Sequence, residues 1–308
     1  MIMSFPWAHA VLWLGLLICL GLSVRTMLKS SYSIREALLF VPLCLLLGFF
    51  FAHLFHSLVR LDDVIYGSFA SLFAFWNGGY MLFGGMAGVA LAALLVARFS
   101  MRSSLELMDL LAPIGALCIV FIRLHEGLSF QNFGDYLEDG SFFARFPFAI
   151  YDADYEAWVE AVFMGGAAVS LLLAVFLYKT VSRRASDRTL LFLGLYAAAQ
   201  IVLESMRFDD FLRWGFIRSS QLISAVVIVF VLACYCRQAK GEHPRGRAAV
   251  WILYVICAGL CLVLEFAVDG KIGFLTFLSP AACHAIMALI CAVIAGRVLK
   301  MRSFAKHA

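Results

Sequence analysis

The chain has 308 residues, of which 64% are apolar and 14% charged, with a net charge of +4 and a mean hydropathy of +0.94. A chain this apolar cannot cover its surface for water, which excludes the soluble globular and disordered classes. Its basic residues are spread over many short connections and form no aromatic-interleaved patch, so no nucleic-acid partner is expected.

A hydrocarbon layer about 30 Å thick takes roughly 20 apolar helical residues to cross. In chain order, nine runs qualify, near residues 8–24, 37–58, 79–97, 106–123, 157–178, 189–206, 219–236, 249–267 and 279–297. The period-two alternation of a barrel is absent. The expected fold is therefore all-α, a polytopic integral membrane protein of about nine transmembrane helices. Ahead of the first run stand Pro6 and Trp7, with no basic stretch and no small-residue cleavage site, so it reads as a retained span. The nine cysteines lie inside the runs, seven of them as small apolar fillers and two, Cys234 and Cys236, at the end of the seventh run. Cys234 and Cys236 form a lone C-x-C, a weak metal signal, and neither a disulfide framework nor a metal is expected.

Basic residues punctuate alternate connections: Arg25, Lys29 and Arg35; Arg98 and Arg102; Lys179, Arg183, Arg184 and Arg188; Arg237, Lys240, Arg245 and Arg247; and Arg297, Lys300, Arg302 and Lys306 at the end. The excess of Lys and Arg in cytoplasmic loops predicts the N-terminus outside and the C-terminus inside, as in a bacterial inner (plasma) membrane. Asp62, Asp63, Asp135, Glu138, Asp139, Asp152, Asp154, Asp209 and Asp210 fall in the opposite loops. The longest of these, residues 124–156, contains Gly127, Gly134 and Gly140 as helix breakers and many phenylalanines. It reads either as an interfacial anchor or as a cover over a substrate.

Charged side chains in or beside a span cost about a few kcal/mol and ask for a partner. Asp109 lies early in the fourth span, Arg123, His125 and Glu126 close it, Glu156 and Glu160 open the fifth, and Gln200, Glu204 and Arg207 end the sixth. The last three are spaced i, i+4, i+7 and share a helix face. Two guanidiniums, Arg123 and Arg207, would thus sit at the depth of lipid phosphates, which a planar fork matches; the plainer alternative is that Arg123 snorkels and Arg207 pairs with Glu204 or Asp210 as structural glue.

The runs Trp76-Asn77-Gly78-Gly79-Tyr80-Met81-Leu82-Phe83-Gly84-Gly85-Met86-Ala87-Gly88, MDLLAP and IRLHEGLSFQNFG, then Tyr155, Glu156 and Glu160, then Gln200, Glu204 and Arg207, then Ser220 and Gln221, resemble the successive motifs of the prolipoprotein diacylglyceryl transferases. Order and spacing hold from about residue 70 to 236, which is more specific than any single match. The resemblance implies transfer of a diacylglyceryl group from phosphatidylglycerol to a cysteine thiol of a lipoprotein precursor, with release of glycerol phosphate. It implies catalytic roles for Arg123, Glu204 and Arg207, beside which Glu126 and His125 are candidate catalytic groups of this chain's own, and substrate contacts at Asn77, Gly84, Gly85, Asp109, Gly134, Tyr155, Glu156, Gln200 and Gln221. No cofactor is implied; the partners are phospholipid, lipoprotein precursor and the bilayer itself.

Departures fall where the chemistry is expected. Phe83 stands where the family has histidine, Gln200 where it has arginine, Gln131 where it has an acid, Glu126 where it has asparagine, and Gly48-Phe49-Phe50 where it has G-G-R. His53, His56 or His125 are candidates to replace the base. A transferase, a variant with changed donor or acceptor, and a silent lipid-binding homologue all remain open. A metal site of His53, His56, Glu126 and Asp62 is a further rival. A transporter is disfavoured, because the two halves carry no inverted repeat. Two units are expected, a transferase-like core over residues 1–240 and an appended hairpin over residues 241–308.

Overall fold

The structure, a computed structural model, describes residues 7–60, 65, 70, 73–75, 78–182, 184–209, 212–215, 217–238, 244–275 and 277–304. Nine helices run through the described residues: α1 (Ala8–Lys29), α2 (Ile34–Val59), α3 (Leu82–Phe99), α4 (Ser104–Leu128), α5 (Val162–Lys179), α6 (Asp187–Ser205), α7 (Ser219–Gln238), α8 (Pro244–Val268) and α9 (Pro280–Phe304). Each of the nine apolar runs is thus a helix, and all nine cysteines are free thiols.

Local sequence explains several of the ends. Ser33 caps α2 in a reciprocal box with Glu36, and Ser103 accepts from the Glu106 amide at the start of α4. The N-terminal turn of α6 is capped from outside: Asp109 of α4 accepts from the Thr189 amide and hydroxyl, both at 2.8 Å, and from the Ser182 hydroxyl at 2.5 Å. Gly84 and Gly88 face α2 so closely that a Cβ at either would strike the Phe51 or Leu47 carbonyl. The glycine-rich entry to α3 is in this respect a seam between two helices.

Eight of these helices are long and apolar enough to cross a membrane, and α6 is the exception. The reason is its position. It packs against α4, α5, α7 and α9, and 11 of its residues are buried. A helix surrounded by protein does not require a lipid-compatible surface, and α6 can carry polar groups inward.

One expectation is corrected here. The fifth span does not begin at residue 157, because Ala157–Glu160 is a strand and α5 starts at Val162. Strands β1 (Tyr136–Leu137), β2 (Ala149–Asp152) and β3 (Ala157–Glu160) form an antiparallel sheet in the order β1-β3-β2, and β4 (Arg213–Trp214) pairs with β5 (Ile217–Arg218). A-W-V is as good a strand as a helix start, and apolarity alone does not separate the two. Nor does Gly127 break α4: it lies inside the helix, with the Phe163 ring where a side chain would be. Both sheets sit at the end of the bundle where α4 and α6 finish.

Candidate functional site

At that sheet-bearing end the last turns of α4 and α6 meet. Arg123 of α4 is 3% exposed, and it donates from Nη1 to Glu126 Oε2 at 2.7 Å and from Nη2 to Tyr196 Oη at 2.8 Å and Gln200 Oε1 at 2.9 Å. Gln200 donates in turn to Glu204, one helical turn further along α6. Arg207, just beyond the helix end, lies 3.4 Å from Glu204 Oε1 and donates from Nη2 to Asp209 Oδ2 at 2.7 Å. Arg218 reaches the other oxygen of Asp209 at 3.1 Å and the Arg207 carbonyl at 2.6 Å. Asn132 closes the circuit, its Nδ2 donating to Glu126 Oε2 at 2.7 Å and its backbone amide to Asp209 Oδ2 at 3.3 Å.

Three guanidiniums are thereby interleaved with the carboxyl groups of Glu126, Glu204 and Asp209. Burying single charges would be prohibitive; an alternating chain lowers that cost because each charge is paired and hydrogen-bonded. Asp209 titrates accordingly. Burial works to raise its carboxyl, but the Arg207 guanidinium, and then Arg218, outweigh burial and hold it below its ordinary value of 3.8. Glu160 in β3 moves the other way, pushed up by burial and then by Asp135. Gly166 of α5 makes room for the central cation, since a Cβ there would come within 3.2 Å of Arg123 Cδ and 3.3 Å of Nε. Arg123 Nε and Asn132 Oδ1 are buried without a protein hydrogen-bond partner.

Of the residues marked by the sequence, Arg123, Glu126, Gln200, Glu204 and Arg207 are brought together. Gln221 backs them, accepting from the Arg218 amide at 3.0 Å and donating to the Ile201 carbonyl at 3.2 Å. Gly134 lies close by, its amide on the Glu160 carbonyl at 2.9 Å, and a Cβ there would press on Glu160 and the Met206 carbonyl. Other marked residues are elsewhere. Asp109 lies 14 residues before Arg123 on the same helix, about 21 Å away at 1.5 Å per residue, and Gly84 and Gly85 face α2. Tyr155 and Glu156 form the exposed turn between β2 and β3, Glu156 with φ of 49°. His125 turns to α1, with Nδ1 3.0 Å from the Ala8 carbonyl and its ring on His9; His53 Nδ1 is 3.1 Å from the Gly79 carbonyl. Asn77 and the loop acids Asp62, Asp63 and Asp210 lie outside the described residues. Among the described residues no three His, Cys, Asp or Glu side chains converge as metal ligands would.

Four participants did not stand out in the sequence as members of the site. Tyr196 precedes Gln200 by one turn on the same face, a signal that periodicity carried and hydropathy hid. Asn132, Asp209 and Arg218 come from connections whose path only tertiary structure sets. Phe83, at the family's histidine position, is buried and meets Tyr196 edge-on at 6.3 Å between ring centroids. An apolar ring therefore packs on the tyrosine whose hydroxyl accepts from Arg123 Nη2.

Membrane-length helices enclosing a neutralised cluster of guanidiniums and carboxylates at one end define a multi-pass membrane protein with a buried polar site at its helix termini. Within that class the chain belongs to the prolipoprotein diacylglyceryl transferase family, whose model matches residues 1–237. It is similar to the phosphatidylglycerol–prolipoprotein diacylglyceryl transferase of Streptococcus pneumoniae serotype 4, 25% identical over 247 residues that cover 76% of this chain and 92% of the relative. The protein of the same name from Oceanobacillus iheyensis is 20% identical over 264 residues, covering 76% of this chain and 87% of the relative.

Proposed function

We propose that this protein binds phosphatidylglycerol at the Arg123 cluster and transfers its diacylglyceryl group, slowly, to the cysteine thiol of a lipoprotein precursor. The supporting observation is the unbroken chain from Arg123 through Gln200 and Glu204 to Arg207, at positions where the family motifs carry their charged residues. With basic connections taken as cytoplasmic, the cluster faces outward, where secreted precursors emerge.

In this reaction a sulfur–carbon bond forms at the glycerol carbon that carries the phosphate, the carbon–oxygen bond to phosphate breaks, and the electron pair leaves on glycerol phosphate. The departing anion is met by guanidinium forks, which the surrounding low-dielectric protein strengthens. Glu126 takes the thiol proton. Its side chain is 20% exposed, and among the described residues both hydrogen bonds that its carboxylate accepts fall on Oε2, leaving Oε1 to face an incoming group.

A carboxylate is by its nature a weaker base than an imidazole, and Phe83 offers neither. General-base help is worth about 10²- to 10⁴-fold, so turnover is expected to be slower by that order than in relatives with histidine. The test uses purified protein in phosphatidylglycerol vesicles with a lipobox peptide. Slow thioether formation, raised by Phe83→His together with Gln200→Arg, is the expected result. A second reading, a lipid-binding homologue without transfer, is favoured by the three bonds that already tie both terminal nitrogens of Arg123 to its own chain. No thioether in either form would establish it and overturn the transferase.

A further inference from the structure

The eighth span carries a single charged residue, Glu265, within an otherwise apolar stretch. An ionisable group at that depth costs about a few kcal/mol unless it is partnered, and it marks a function as often as a scar. It is buried, and its partner is the Ser205 hydroxyl, which donates to Glu265 Oε2 at 2.7 Å. Ser205 is the last residue of α6 and follows Glu204 directly. Gln221, which holds the Arg218 amide and the Ile201 carbonyl, lies beside the same carboxyl. From α9 the His284 imidazole is set against the Ser205 backbone.

The other contacts of this hairpin follow the same line. Arg302 of α9 grips Asp187, the first residue of α6, through two bonds of 2.8 and 2.7 Å. Between these ends Gly194 of α6 lets Val298 approach so closely that a Cβ would lie 3.1 Å from its methyl. Arg213, five residues before Arg218, pairs with Asp269 beyond the end of α8 at 2.6 Å. Helices α8 and α9 lie beyond the 237 residues that the family model matches, yet they hold the site helix at its first residue, its middle and its last.

We propose that the α8–α9 hairpin is a working part of the site, with Glu265 as a positioning residue that fixes the final turn of α6 and so aims Glu204 and Arg207 at a phospholipid phosphate. This rests on the reading of that cluster as a phosphate site. The last turn of a helix has carbonyls without intrahelical partners and frays easily. Arg207 lies beyond it, tied back by its 3.1 Å neighbour bond from the Met206 amide to the Val202 carbonyl and by its own longer bond to Glu204. A buried carboxyl anchored in a separate helix pair is a rigid stop for such a turn, and a phosphate fork displaced by 1 Å loses much of its grip.

Two measurements on the full chain in phosphatidylcholine nanodiscs test this. Hydrogen exchange of the Met206 and Arg207 amides reads the anchor directly; short-chain phosphatidylglycerol, titrated in, reads the site. Glu265→Ala is expected to speed exchange about tenfold at those amides and to weaken phosphatidylglycerol binding about tenfold. Glu265→Gln, which keeps an acceptor for Ser205, is expected to stay within about threefold of the parent in both. Unchanged exchange in Glu265→Ala overturns the anchor. Faster exchange with unchanged affinity overturns the coupling to the phosphate, as does equal loss in Glu265→Ala and Glu265→Gln. If the parent itself shows no preference for phosphatidylglycerol over phosphatidylcholine, the phosphate reading fails, while the exchange arm still decides the anchor.

Discussion

Arg123 is surrounded by its own chain, and that defines how it can be probed. Removing it takes the cation from Glu126 and leaves Tyr196 and Gln200 buried without their donor, and breaking one side of a buried pair costs up to about 3–5 kcal/mol. Arg123→Ala should therefore lower thermal stability in detergent and abolish preferential phosphatidylglycerol binding together. Arg123→Lys separates the two: it restores the charge and most of the stability but, lacking the fork, only part of the lipid preference. Full preference for phosphatidylglycerol in folded Arg123→Ala would remove this residue from the phosphate site. Asp209 makes a second prediction through pH. Its carboxyl lies below the ordinary 3.8 in the folded protein, so its pairing stabilises the fold fully above that value and is lost as pH falls through the lower, folded one. The gap in melting temperature between the parent and Asp209→Asn should be constant at neutral and mildly acidic pH and shrink only below about pH 4. A gap that closes already between pH 7 and 5 would mean the carboxyl is not held by Arg207 and Arg218.

At the scale of elements, α6 and the α2–α3 pair show two ways of building with membrane helices. Helix α6 is polar at both ends because it is enclosed: Asp109 caps its start, Arg302 pairs with its first residue, and Glu204 and Ser205 finish it inside protein. The α2–α3 pair instead uses small residues. Gly84 and Gly88 bring α3 onto backbone carbonyls of α2, which cannot turn aside as a side chain can. Gly88→Val should force the two helices apart, with a loss of about 1–3 kcal/mol typical of overpacking, read as a lower melting temperature. Gly115, with open space around the position of its missing Cβ, is the matched control, since Gly115→Ala should leave the melting temperature unchanged or raise it slightly. Equal melting temperatures for Gly88→Val and the parent would show that the seam is loose.

For the whole molecule, the decisive question is which way the bundle faces. Lys29, Arg98, Lys179, Arg237 and Arg302 lie in the last turns of α1, α3, α5, α7 and α9, so odd-numbered helices all run toward one face and the Arg123 cluster sits at the other. In the proposed orientation, which puts Lys and Arg near helix ends on the cytoplasmic side, the cluster faces outward. A cytoplasm-active reporter fused after Ala308 should be active and a periplasm-active one silent; the opposite pattern would invert the molecule and place the site away from any emerging precursor.

The sequence by itself determined the number, order and approximate limits of the helices, because crossing a hydrocarbon layer demands an apolar run of sufficient length whatever its neighbours are. It also marked Arg123, Glu126, Gln200, Glu204 and Arg207 as out of place, since charge at such depth is costly wherever it occurs. Tertiary structure alone decided which of these groups meet. Asp109 and Arg123 are equally conspicuous on one helix, yet one caps α6 and the other anchors the charged cluster, because they face its opposite ends. The family motif drew attention to Glu156, but the chain turns there into a sheet and leaves it in an exposed turn, while Asn132, Asp209 and Arg218 arrive from connections with no periodicity to announce them. Glu265, a lone acid in an apolar run, did not stand out in the sequence and was illegible as a partner of Ser205, 60 residues earlier, because hydrogen bonds act over about 3 Å in space and are blind to separation along the chain.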